Sequence, residues 1–159
     1  RSVTMWLEMD VSGIKIKLQI NSYKPTNKET EDDTWCKCDY QFSSGDWLNY
    51  HKENDEVLLS GEVEALADGL TELLDNKISE AKEIVCIEPD FIFKLYPKTD
   101  LRDDPNYIYI RSGYEIQDIY CEWKLYFWNG GRTENCLTIT LYRKEIVSLR
   151  DYLLLVTNR

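Results

Sequence analysis

The segment that is most informative about the fold runs from Glu62 to Lys77 and has the sequence EVEALADGLTELLDNK. Its apolar residues recur every three or four positions, the spacing that forms one apolar stripe on a helix: Val63, Leu66, Ala67, Leu70, Leu73 and Leu74. Glu62 and Glu64 lie in the first turn, where the helix dipole favours negative charge, and Ser60 or Gly61 is a suitable N-cap. The pattern predicts an amphipathic helix with one face on a hydrophobic core.

Strands are predicted on both sides of this helix. Alternating apolar and polar residues, bounded by turn residues, mark these segments: Gly13–Ile20, Thr34–Phe42, Glu83–Ile87, Phe91–Tyr96, Tyr107–Arg111, Asp118–Trp128 and Cys136–Tyr142. Asn129-Gly130-Gly131 favours a reversal that joins the last two strands as a hairpin. Asp46–Asp55 has no clear period, so its structure stays open. Arg143–Val156 repeats apolar residues at helical spacing and predicts a second helix.

The order strand, strand, helix, strands, helix is that of an α+β domain. We expect a single twisted antiparallel sheet with two amphipathic helices packed on one face, formed by one domain over residues 5–159. No stretch reaches the roughly 18 apolar residues of a membrane-spanning helix, and the beginning of the chain lacks the pattern of a signal peptide. A cytoplasmic location is therefore expected.

The charge balance restricts the class of partner. The chain has 29 acidic and 19 basic residues, for a formal net charge of −10. This excess repels nucleic acid and anionic membranes, so neither is expected to bind directly. It would speed the encounter with a basic protein, although solubility alone is the plainer interpretation of the acidity.

Five cysteines cannot all pair within one chain, which favours a reducing compartment. Cys36 and Cys38 are separated by one residue, whereas zinc sites of this kind usually have two. Strand alternation places both thiols on the more apolar face of their segment, and Cys121 has the corresponding phase in its own strand. We expect these three thiols to be buried, reduced and free of metal.

The sequence contains no assembled catalytic motif. It has one histidine, His51, in a polar segment, and it lacks a glycine-rich phosphate loop, a nucleophile elbow and a paired-histidine zinc motif. Glu88 and Asp90 could serve as a pair of carboxylates, but a turn role around Pro89 is the commoner use of such a segment. We expect no enzyme activity, no catalytic residue and no cofactor.

Two surfaces are candidates for binding a partner. One is acidic: Glu29, Glu31, Asp32 and Asp33 in the loop Asn21–Asp33, with Asp55 and Glu56 nearby. The other is aromatic, on the polar-phase faces of the later strands: Tyr109, Tyr126 and Trp128. The aromatic face would be unavailable if loops covered it, and loops carry recognition more often than sheet faces, so the acidic surface is favoured.

From Trp35 to Val156 the sequence resembles the WapI-type immunity proteins, small bacterial proteins encoded beside polymorphic toxins. The resemblance rests on these segments: Trp35-Cys36-Lys37-Cys38, the helix from Glu62 to Leu74, Glu88-Pro89-Asp90 before the strand Phe91–Leu95, and the closing segment Leu141–Leu153. It implies a protein that binds and neutralises the C-terminal toxin domain, often a nuclease, of a secreted or cell-surface effector, as in contact-dependent growth inhibition. It implies no catalytic residues.

Two other classes of function remain open from the residues alone. One is a small carboxylate-dependent enzyme or ligand-binding protein, and the other is an acidic adaptor module unrelated to toxins. Neither has a motif of its own in this sequence.

Overall fold

Antiparallel sheets dominate the architecture of residues 5–87 and 90–158, which a computed structural model describes. The first sheet has the order β1-β2-β3-β4 and contains β1 (Leu7–Val11), β2 (Ile14–Ile20), β3 (Trp35–Ser44) and β4 (Leu48–Leu59). The second has the order β10-β9-β6-β5 and contains β5 (Lys82–Val85), β6 (Phe91–Tyr96), β9 (Tyr120–Trp128) and β10 (Arg132–Tyr142). Two short strands, β7 (Thr99–Asp100) and β8 (Ile116–Gln117), form a separate ribbon. The helices are α1 (Ser60–Leu74) and α2 (Arg143–Thr157).

The expectation of one sheet with both helices on one face is wrong. Strands make up 46% of the structure and helices 22%, and the strands are divided among separate sheets. Helix α1 begins directly after β4 and leads the chain away from it, so β5 pairs with β6 instead of extending the first sheet. Each helix contacts both four-stranded sheets, because α1 packs against β4, β5 and β6 while α2 packs against β1, β9 and β10.

Two further segments differ from expectation. Tyr107–Arg111 is a loop and not a strand, since Tyr107 donates its backbone N–H to the carbonyl of Asp104 in a turn instead of joining a ladder. Asp46–Asp55, which had no clear period, lies mostly in β4. Its pattern is irregular because β4 is an edge strand whose pairing with β3 shifts register twice.

The first sheet is a meander built by tight reversals. Ser12 and Gly13 both have positive φ, 52° and 88°, and join Val11 to its partner Ile14. This is the conformation that a two-residue hairpin favours, and glycine adopts it without steric cost. Three residues of the following strand then alternate into the core: Ile16, Leu18 and Ile20.

Aromatic side chains join the two sheets at the centre of the core. The rings of Phe42 and Trp123 have centroids 5.4 Å apart, and those of Tyr40 and Phe91 are 5.2 Å apart. Helix α1 lies so close to the second sheet that a Cβ on Gly69 would meet the terminal methyl groups of Ile84 and Leu95 at 3.1 Å. Glycine is a weak helix former, but at this position its lack of a side chain permits the close packing of the helix on the sheet.

The predicted burial of the thiols is confirmed. Cys36, Cys38 and Cys121 are buried, as is Cys86, while Cys136 is exposed, and all five are free thiols. Burial raises the pKa of Cys36 to about 11 and that of Cys121 to about 12. No helix within the described ranges is long and apolar enough to cross a membrane.

Candidate partner-binding site

The acids of the Asn21–Asp33 loop are held by a small turn. Asn27 and Asp32 exchange backbone hydrogen bonds of 3.2 and 3.1 Å, and the Asn27 side chain accepts from the N–H of Glu29 at 3.0 Å. Glu29, Glu31 and Asp32 are exposed, and none of their carboxylates forms an ion pair with a residue that the structure describes. Three of the four predicted loop acids are therefore open to a partner.

Asp33 differs from these three because it caps helix α1. Its carboxylate accepts the backbone N–H of Gly61 at 2.9 Å. The N-cap position itself is Leu59, not Ser60 or Gly61, and its N–H donates to Glu62 Oε1 at 2.8 Å. The capping acid comes from a distant loop, which helix-start patterns in the local sequence do not reveal.

Glu64, the fifth residue of α1, anchors the same loop to this helix. Its carboxylate accepts from the hydroxyl of Tyr23 and from the backbone N–H and hydroxyl of Thr26, the last two at 3.1 and 2.7 Å. Sequence analysis assigned Glu64 only to the helix dipole. Together with Asp33, it fixes where the loop presents its exposed acids.

Next to this loop, a cleft of about 290 Å³ brings together members of both predicted surfaces. It is lined by these residues: Trp35, Lys52, Asp55, Glu56, Asp90 and Trp128. Asp55 and Glu56 belong to the acidic set and Trp128 to the aromatic set. Trp35 begins β3 two residues after Asp33, so the acidic loop leads directly into the cleft.

Bulges in the pairing of β3 with β4 shape one side of the cleft. Asp55 and Glu56 are neighbours, which regular alternation would place on opposite faces, yet both line the cleft. The register shifts on both sides of them, and Asn54, with φ of 47°, sits at one shift. The bulge is held by Asp39, whose carboxylate accepts the Asn54 N–H at 2.7 Å. Such irregularities re-aim side chains, and sequence periodicity does not locate them.

The other side of the cleft comes from the second sheet. Asp90 precedes β6, is 4% exposed, and accepts the Tyr126 N–H on its backbone carbonyl at 2.9 Å. Trp128 ends β9, and its backbone N–H donates to the Tyr50 hydroxyl of β4 at 3.3 Å. The indole nitrogen of Trp128 is buried and has no hydrogen-bond partner among residues 5–87 and 90–158. The cleft therefore spans the junction of the two sheets.

The charges around the cleft are unevenly paired. Asp55 and Glu56 form no ion pair with a described residue, and the ammonium of Lys52 lies 5.8 Å from the ring centroid of Tyr50. Tyr40 lies nearby, and its pKa is raised far above the usual value by burial and then by the carboxyl groups of Asp90 and Asp55. The cleft thus offers two indole rings and the carboxylates of Asp55 and Glu56, which form no ion pair with a described residue.

The predicted aromatic surface does not form one continuous face. Tyr126 and Trp128 are half-buried on β9, and the guanidinium of Arg132 lies 4.2 Å from the Tyr126 ring centroid. Tyr109 instead lies in the loop between β7 and β8, where it is 82% exposed beside a fully exposed Ile108. Tyr107, Tyr114 and Ile116 are also exposed in this region. The alternating pattern of Tyr107–Arg111 predicts a strand, so this apolar loop was not predicted from the sequence.

The family model for the immunity protein WapI-like family matches residues 7–157, nearly the whole chain. The chain belongs to this family. The resemblance noted from the sequence is therefore confirmed. No curated protein sequence matches the chain.

Of the residues considered for catalysis, His51 and Asp90 lie in the described part of this immunity-family member. His51 is exposed on β4, and Glu88, the partner considered for Asp90, lies outside the described residues together with Pro89. Within residues 5–87 and 90–158 no three histidine, cysteine, aspartate or glutamate side chains are grouped as metal ligands would be. The described geometry places the acidic loop beside a cleft lined by carboxylates and tryptophans, and these two features form the candidate partner-binding site.

Proposed function

We propose that this protein binds and neutralises the C-terminal toxin domain of a secreted or cell-surface bacterial effector, and that this domain is a basic nuclease. The observation that carries the proposal is an acidic loop that leads into an acidic, tryptophan-lined cleft, in a member of an immunity protein family. An immunity protein acts by occupying its toxin, so it needs a recognition surface and not a catalytic group. The whole domain over residues 5–159 serves to present that surface.

The charge of the chain supports a basic partner. A net charge of −10 accelerates encounter with a positively charged protein and suppresses binding to nucleic acid. Nucleases carry basic surfaces because much of their affinity for nucleic acid comes from neutralising phosphates. The carboxylates of Glu29, Glu31 and Asp32 would meet the residues that otherwise hold the phosphate backbone.

The cysteines support action in the cytoplasm. Five free thiols persist most readily in a reducing compartment. A nuclease delivered into a cell would meet its nucleic acid there, and the immunity protein would have to intercept it in the same place.

The test begins by searching the genes next to the one for this chain for a secreted protein, and uses the C-terminal domain of that protein. The domain is purified, mixed with the immunity protein at increasing ratios, and assayed for complex formation and for cleavage of DNA and RNA. We expect an equimolar complex and loss of cleavage at equimolar ratio. Unaltered cleavage under excess of this chain would overturn the proposal, and an inhibited toxin with no nuclease activity would overturn the nuclease assignment alone.

A further inference from the structure

We infer that the cleft lined by Trp35, Asp55, Glu56 and Trp128 binds a single arginine side chain, which the toxin domain inserts when the two proteins associate. The inference rests on the proposed function for the source of the arginine. The chemistry of the cleft itself rests on the contacts of the described residues.

Size limits the occupant to one side chain. At roughly 30 Å³ for each molecule of liquid water, the cleft volume of about 290 Å³ corresponds to about ten waters. That space suits one long side chain. The acidic loop beside it remains available for the rest of the partner's surface.

Charge selects a cationic side chain. Asp55 and Glu56 line the cleft without an ion pair to a described residue, while Lys52 is the one basic residue among the described residues of the lining. A cation that enters between these carboxylates would gain charge-assisted hydrogen bonds in a partly desolvated setting. An anion that entered the cleft would be repelled by the same carboxylates.

The indole rings select arginine over lysine. Tryptophan is the aromatic side chain that attracts cations most strongly, and two tryptophans line this small cleft. A guanidinium is planar, stacks on aromatic rings and donates to a carboxylate through two parallel hydrogen bonds. An ammonium is more strongly hydrated and cannot use both features at once.

The first experiment tests the cleft without any toxin. Acetyl-arginine amide, acetyl-lysine amide and acetyl-citrulline amide, a neutral isostere of the arginine compound, are each titrated into the labelled protein. The indole N–H signals of the tryptophans are followed by NMR. We expect the signals of Trp35 and Trp128 to shift and saturate with the arginine compound, about tenfold more weakly with lysine, and not at all with citrulline. The signal of Trp47, which is exposed outside the cleft, serves as the internal control.

A pair of variants tests the carboxylates without removing a tryptophan, whose loss could disturb folding. Asp55→Asn with Glu56→Gln should weaken binding of the arginine compound by roughly tenfold. The control, Glu72→Gln with Glu80→Gln, changes net charge equally at exposed positions and should leave it unaltered. Equal shifts with citrulline, equal binding of lysine, or equal loss in both variants would each overturn the inference.

The second experiment uses the toxin domain. The Asp55→Asn, Glu56→Gln variant should dissociate from it roughly tenfold faster than the control variant. If the toxin binds both variants alike and the arginine compound does not bind, the cleft inference fails while the proposed function stands. If the arginine compound binds as expected but no toxin domain does, the proposed function fails while the cleft retains its assignment.

Discussion

Asp33 accepts the backbone N–H of Gly61 at 2.9 Å, so one of the four acids of the acidic loop also caps helix α1. This contact distinguishes Asp33 from the exposed acids Glu29, Glu31 and Asp32, which have no such structural role in the described residues. A Cβ on Gly61 would lie 2.9 Å from an oxygen of Asp33, which leaves little room between the two residues. Any experiment that neutralises the loop must treat Asp33 apart.

Replacing Asp33 by alanine should therefore lower stability. Loss of a helix cap costs about 1 kcal/mol, because an N–H of the first turn is left without its acceptor. Glu29→Gln, Glu31→Gln and Asp32→Asn should each change stability by less than about 0.5 kcal/mol, since their carboxylates are exposed. Denaturant unfolding of the four single variants compares these values. Equal stability in all four would show that the capping contact contributes nothing.

The buried thiols predict a loss of stability at high pH. Burial raises the pKa of Cys36 from 9.0 to about 11, so the folded state keeps its proton over a range in which the unfolded state releases it. The unfolded state then binds fewer protons, and the free energy of unfolding falls as pH rises above about 9. Cys36→Ala should be less stable at pH 7 by about 1 kcal/mol and lose less stability on the way to pH 10.5. If the free energy of unfolding of the parent and of Cys36→Ala falls by the same amount between pH 7 and pH 10.5, the prediction is wrong.

Thiol labelling and metal analysis check the same environment at neutral pH. Only Cys136 is exposed, so one thiol per chain should react in the native protein, and Cys136→Ser should abolish the reaction. Protein purified without added metal is expected to contain no zinc, and stoichiometric zinc would defeat the interpretation of Cys36 and Cys38 as core residues.

The helices and most strands were predictable because each depends on the periodicity of its own residues. Helix α2, for example, begins at Arg143 as expected and ends at Thr157, one residue beyond the predicted end. The hairpin of β9 and β10 was predicted from Asn129-Gly130-Gly131 and is confirmed. The pairing of the other strands was not predictable, because alternation identifies a strand without naming its neighbour. Helix α1 contacts both sheets, and its close approach to the second one, where Gly69 faces Ile84 and Leu95, leaves no signal in the periodicity of the sequence.

The site was predictable in composition and not in arrangement. Exposure of Glu29, Glu31 and Asp32 followed from a polar loop composition. The approach of Asp55 and Glu56 to Trp128 depends on a bulge at Asn54 and on packing between two sheets, neither of which leaves a periodic signal. Tyr109 was placed on the wrong element because a run of alternating tyrosine and isoleucine is typical of a strand.

Neutralising the exposed loop acids should slow association with a basic toxin domain. Glu29→Gln, Glu31→Gln and Asp32→Asn together remove three charges, and long-range attraction acts mainly on the rate of encounter. The control is Glu72→Gln, Asp75→Asn and Glu80→Gln, which removes the same charge from exposed positions elsewhere. We expect the loop variant to associate several-fold more slowly than the control at low salt.

Salt should reduce that difference, because the screening length falls from about 10 Å at 0.1 M to about 3 Å at 1 M. Dissociation should be nearly the same in the two variants. Stopped-flow measurements at both salt concentrations separate the rates. If the association rate is the same at both salt concentrations and in both variants, electrostatic attraction does not contribute to recognition.

The apolar loop between β7 and β8 should affect dissociation if it contacts the toxin domain. Ile108 and Tyr109 are exposed, and apolar anchors that become buried in an interface hold complexes together once formed. Ile108→Ser with Tyr109→Ser should leave stability within about 0.5 kcal/mol, because neither side chain packs in the core. The same pair should speed dissociation roughly tenfold and leave the association rate near that of the parent.

Tyr114→Ser is the matched control, since Tyr114 is exposed in the same region but carries the guanidinium of Arg111 over its ring at 5.3 Å. If the loop acids control association and the Ile108, Tyr109 variant binds as the parent does, the acidic loop and the cleft are the recognition surface and the apolar loop is not part of it. If the Ile108, Tyr109 variant alone fails to protect while the acid variants bind normally, the preference for the acidic surface is wrong.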